Sequence, residues 1–149
     1  MILETNAFIQ IQKPIEEVFE GIVNPELMTK YFINTSTGRL ITGKEVIWTF
    51  PEFSMKIPIK NIQIKDNQSV SFEWDPETVV LISLEQLADN STVVRVKETG
   101  KEISEANLKW AMQNSSGWAH FLSALKAYLE YGINLRKGAF DFMRTKAIN

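Results

Sequence analysis

Few residues in this chain have the chemistry to act on a substrate. It holds one histidine, His120, and no cysteine. Disulfides, thiolate catalysis and Cys-ligated zinc or iron–sulfur clusters are therefore excluded. A single histidine also excludes a multi-His metal site within one chain, and no metal or other cofactor is expected. General base catalysis by His120 needs an orienting partner, and its neighbours Ala119 and Phe121 supply none. Its position off the apolar stripe of its helix reads first as a boundary histidine and second as a polar anchor at a cavity mouth. Ser115 and Ser116 lack the G-x-S-x-G elbow of a nucleophilic serine and read as small packing residues. Gly38 and Gly43-Lys44 fall short of a phosphate loop, because Glu45 stands where Ser or Thr is required. Glu16-Glu17 and Glu102/Glu105 suit the positive ends of helices. Glu98 is different. By strand parity it shares a face with Val94 and Val96, so its carboxylate points inward and needs partners there. It either lines a pocket or marks where the strand reaches solvent.

The elements that carry these groups follow from periodicity. Over 149 residues the net charge is −2 and hydrophobic residues make up 44%. That suits one globular domain, with a core at about 3–135 and a loosely attached tail at 137–149. The charge argues against nucleic acid as a partner. No apolar run reaches the roughly 20 residues of a membrane span, and the N-terminus lacks the basic region of a signal peptide. A cytoplasmic protein is expected.

Ile9 and Ile11 alternate with Gln10 and Gln12 as a half-buried strand. Pro14 opens a helix whose stripe is Ile15, Val18, Phe19 and Ile22. Asn24 caps a second helix carrying Leu27, Met28, Tyr31 and Phe32. The stretch from Ile33 to Lys44 shows no strong periodicity. Strands follow. Val46, Trp48 and Phe50 alternate, and Phe53, Met55, Ile57 and Ile59 occupy one phase. Ile62 and Ile64 occupy the other, which requires a bulge or bend near Lys60-Asn61. Pro58 belongs at an edge or at that bend. Asp66-Asn67, Asp75-Pro76 and Asp89-Asn90 are turns. Val70, Phe72 and Trp74 share a face, Val79 to Leu84 reads as a strand covered on both sides or nearly so, and Val94 and Val96 point inward. Ser104 then caps a helix over 105–131, about 40 Å long. Its spacing of Leu108, Met112, Ser115, Ala119, Leu122, Leu125 and Leu129 puts an apolar stripe along the whole length, and Gly132 stops it. Gly117 costs about 1 kcal/mol against alanine there, so a close approach or a kink is expected. One strand, two short helices, a six-stranded meander and one long helix make an α+β chain. Its antiparallel sheet must curl around the helix.

This layout resembles the helix-grip fold of the START-like (SRPBCC) superfamily. Within it, the chain resembles the family named for the activator of heat-shock-protein-90 ATPase. Three stretches carry the likeness. The first is Ile9-x-Ile11-x-x-Pro14-x-x-x-Val18-Phe19 with Asn24-Pro25-Glu26-Leu27 and Tyr31-Phe32. The second is Gly43 with Val46-x-Trp48-x-Phe50, and the third runs from Gly117-Trp118 through Phe121-Leu122 to Tyr128-Leu129-Glu130. In the eukaryotic co-chaperone of this family a separate chaperone-binding domain comes first. This chain starts close to its first strand, so chaperone activation is not expected, although a weak chaperone contact stays open.

The START-like resemblance implies a cavity between sheet and helix. Trp48, Phe50, Phe72, Trp74, Trp110, Trp118 and Phe121 fall on inward or helix-facing positions, mostly as core. Trp and Tyr carry polar tips that also suit a pocket of largely apolar walls. Gly117 would make room, Met55, Ile57 and Ile82 would form the facing wall, and Glu98 would supply a polar group. The function expected from this set is non-catalytic binding of a small hydrophobic or amphipathic molecule. The alternatives are a chaperone-regulating module and a cyclase- or hydrolase-type enzyme using Glu98 or His120.

Overall fold

The computed structural model describes residues 1–148. Its strands are β1 (Ile2–Ile11), β2 (Thr35–Ser36), β3 (Val46–Thr49), β4 (Lys56–Lys65), β5 (Ser69–Glu73), β6 (Val79–Gln86) and β7 (Thr92–Glu102). Helices α1 (Ile15–Val23) and α2 (Pro25–Met28) lie between β1 and β2, followed after the strands by α3 (Glu105–Tyr131) and α4 (Asp141–Ile148). The strands form one antiparallel sheet in the order β1-β7-β6-β5-β4-β3-β2. From β2 to β7 each strand pairs with the next, and β1 closes on the far side of β7.

Local chemistry accounts for the turns and caps. Asn67 and Asn90 turn the chain at φ 59° and 64°, a region asparagine tolerates better than most residues. Asn24 Oδ1 accepts from the Glu26 amide at 3.0 Å, and Ser104 Oγ accepts from the Asn107 amide at 3.0 Å. Gly132 ends α3 in the left-handed conformation. Between Lys60 and Gln63 the β4–β5 register gains one residue, with Asn61 at φ 50°, so the expected bulge lies at Lys60-Asn61. Pro58 pairs with Ile47 of β3, ahead of the first β5 partner at Lys60, where its missing N–H costs no ladder bond.

Several expectations change. The segment from Ile33 to Lys44 contains β2 and buries Ile33 and Leu40, which no two- or four-residue period announces. Phe53 and Met55 precede β4 and are 42% and 63% exposed, because the chain after the Pro51-Glu52 turn is irregular there and not yet a strand whose alternation would have put them inside. β6 is fully covered on one face, by the burial of Val80 and Ile82, while on the other Leu81 and Ser83 are half-buried and Val79 is exposed. Leu108 and Met112 are exposed, so the apolar stripe of α3 does not bury along its whole length. The tail carries α4, and Asn149 lies outside the described residues.

Candidate functional site

The inward row of β7 runs Thr92, Val94, Val96, Glu98. A register slip against β1 follows, so the next inward residue is Lys101 rather than Gly100. Gly100 sits at φ 144°, and a Cβ there would lie 1.9 Å from the Glu77 carbonyl oxygen. Only glycine allows the β5–β6 turn to come this close. That approach brings the Thr78 hydroxyl onto Glu98.

Glu98 is 1% exposed, and its carboxylate accepts four hydrogen bonds. Oε1 takes the Asn114 amide at 2.8 Å and the Trp118 indole N–H at 2.9 Å. Oε2 takes the Trp74 indole N–H at 3.0 Å and the Thr78 hydroxyl at 2.6 Å. Four donors and no acceptor are the pattern of an ionised carboxylate with every acceptor site used. Thr5 completes the network through a 2.6 Å bond to Asn114 Oδ1. The two indoles so held stack at 5.1 Å between ring centres and 27° between planes.

These groups border an open cleft of about 540 Å³ between α3 and the start of β4. Met55, Ile57, Trp74, Glu98, Trp110, Gly117 and Trp118, all singled out from the sequence, line it. Gly117 faces open space, with nothing within 4 Å of where its Cβ would lie, so neither a close approach nor packing explains it. The other four sequence candidates stand elsewhere. Trp48, Phe72, Ile82 and Phe121 are at most 2% exposed and pack in the core behind the cleft wall, Trp48 edge-on to Phe72 and Trp74.

The sequence places Phe50 among the inward rings without assigning it to the site, and sequence reasoning missed Phe32, Asn114, Asp75 and Arg136 as lining residues. Asn114 lies one helical turn before Trp118, a spacing that signals the shared face. Nothing local signals Arg136. It reaches the cleft from the loop after α3, pairs with the buried Glu52, and lays its guanidinium 5.6 Å from the Phe32 ring and 5.4 Å from Phe50. Burial holds its pKa below the ordinary arginine value, against the pull of Glu52. On the other side Lys101 bridges Asp75 at 3.2 Å and Glu77 at 3.4 Å. Burial opposes the charge of Lys101, but the two carboxylates outweigh it and raise its pKa.

His120 does not line the cleft. Its ring packs edge-on against Phe140 at 5.1 Å, and its buried Nε2 has no protein partner among the described residues. Burial first, and Arg136 second, lower its pKa, opposed by Glu52. Glu98 has no free acceptor site and His120 has no orienting partner. Among the described residues no group of three or more His, Cys, Asp and Glu converges as a metal site, and no helix is long and apolar enough to cross a membrane.

A family model described as "Activator of Hsp90 ATPase homolog 1-like protein" matches residues 12–130. The crystal structure of the protein SSP2350 from Staphylococcus saprophyticus superposes with a TM-score of 0.80 at 30% identity, covering 90% of this chain and 96% of that one. The Aha1 dimer from Colwellia psychrerythraea, solved in solution, gives 0.74 at 20% identity, covering 87% and 98%. DynU16, from the dynemicin biosynthetic locus, gives 0.76 at 21% identity, covering 87% of this chain and 48% of that one. The last two likenesses speak for the fold alone. No curated protein matches the chain by sequence.

Proposed function

We propose that this chain, which belongs to the Activator of Hsp90 ATPase homolog 1-like family and has the START-like helix-grip fold, binds a small hydrophobic or amphipathic molecule without transforming it. The observation that carries this reading is the aromatic cleft of about 540 Å³, within the size range of small-molecule sites. Its walls are mostly rings and aliphatic groups, and its deepest polar group, Glu98, is already saturated by its own neighbours. Apolar area left open this way gains by being covered. Gly117 supports the reading too, since a helix-interior glycine that touches nothing keeps the wall open.

The test is a panel of lipids, flavonoids and polyketide-like aromatics, followed by NMR on the indole N–H signals of Trp74, Trp110 and Trp118 and the methyl of Met55. Binders should move these signals together. Gly117→Leu should weaken binding at least about tenfold while leaving the fold intact, because its side chain would enter open space. Shifts confined to the outer face of the sheet, or undiminished binding by Gly117→Leu, would sink the proposal.

The family description also supports a second reading, regulation of a chaperone ATPase. It stands if the protein raises the ATPase rate of heat-shock protein 90 and falls if the rate is unchanged.

A further inference from the structure

The charges around the cleft do not balance evenly. Lys101 faces two carboxylates, Asp75 and Glu77, and Arg136 pairs with Glu52, so each of these acids has a cation beside it. Lys56 is exposed at the rim, where water screens it. Glu98 is the exception: buried, bonded only to neutral donors, and with no Lys, Arg or His within 4 Å among the described residues. Neutral donors orient a carboxylate without cancelling its charge, and in an apolar wall that charge is weakly screened. The rings repeat the pattern. Lys101 rests over Trp110 at 5.1 Å, and Arg136 over Phe32 and Phe50. Trp74 and Trp118, the two indoles tied to the anion, have no protein cation on them among the described residues.

We propose that a ligand cation fills this place: the cleft selects molecules with an apolar body and a quaternary or delocalised cationic head, seated beside Trp74 and Trp118. This rests on the cleft being a small-molecule site. The type of cation follows from the hydrogen bonds. All four acceptor sites of Glu98 are taken, so a primary ammonium entering here gives up bonds to water and finds no acceptor on the carboxylate in return. A quaternary head has no N–H to satisfy. It still gains the field of Glu98 and the attraction of the half-buried Trp74 ring, against which the 4% exposed Trp118 is stacked, the chemistry by which aromatic sites recognise such cations.

The experiment compares 4-(trimethylammonio)phenol with its carbon isostere 4-tert-butylphenol and with 4-(2-aminoethyl)phenol, titrated into the intact chain at low salt. The readout is the indole N–H signals of Trp74 and Trp118. The quaternary compound should bind at least about tenfold more tightly than either of the others. In Glu98→Gln its advantage over the isostere should shrink toward one. If that variant does not fold, the comparison on the unaltered protein decides alone. Equal affinity for the charged and neutral isosteres overturns the inference and leaves the cleft reading standing. So does silence from all three probes while the apolar panel binds. Silence from both the probes and the panel overturns both.

Discussion

Trp118, Phe121, Leu122, Ala124 and Leu125, in the second half of α3, are all buried, whereas Leu108 and Met112 in the first half are 48% and 76% exposed. One helix thus meets the same sheet in two ways. At its closed end α1 packs against it so tightly that a Cβ on Gly21 would lie 3.2 Å from Leu125. At its open end Gly117 faces empty space. The contrast shows that the grip of the sheet on the helix is only half a core. The aromatic residues at the boundary, Trp74 and Trp118, are held by a buried carboxylate where apolar packing runs out.

Substitutions can break this contrast or sharpen it. Trp118→Ala should have the largest effect. It removes a ring from the boundary and leaves Glu98 one donor short, so chemical denaturation should show a loss of about 3–5 kcal/mol. A loss under about 1 kcal/mol would mean that the boundary is hydrated rather than packed. Leu125→Ala should cost about 2–5 kcal/mol, while Met112→Ala on the same helix should stay within about 0.5 kcal/mol. Similar values for the two would erase the distinction between the halves. Gly117→Ala should stabilise the protein by up to about 1 kcal/mol, through helix propensity with no clash. The same change at Gly21 should forfeit that gain against Leu125, as thermal melts of the pair would show.

The smallest effect concerns His120. Its pKa in the folded protein lies below the 6.5 of a free histidine, chiefly through burial. Its neutral form therefore contributes stability above that pH, and the contribution is lost as the pH falls through the lowered value. His120→Leu should flatten the acid side of the stability curve below about pH 6.5 relative to the unaltered protein.

Much of the fold was legible along the chain. The bulge at Lys60-Asn61, the caps at Asn24 and Ser104, the stop at Gly132 and the inward parity of Glu98 all depend on neighbours within a few residues. Elements built on contacts distant in sequence were not. β2 exists because Thr35 and Ser36 meet Thr49 and Trp48, and Leu40 is buried by distant residues rather than by a period of its own. The candidate site divides the same way. Strand parity brought Trp74 and Glu98 toward the interior, and helical spacing brought Trp118. Neither could separate Trp48, Phe72, Ile82 and Phe121 in the core from Met55 and Ile57 on the cleft.

What residue order alone determined is the supply of chemistry: no thiol, one histidine, an inward carboxylate and a surplus of aromatic rings. Which of those rings meet a space, and which meet each other, only the tertiary structure decided. Periodicity tells a side chain which face of its own element it occupies. Whether that face is covered depends on how far the curled sheet reaches along α3, and the sheet closes on its second half and leaves its first half open.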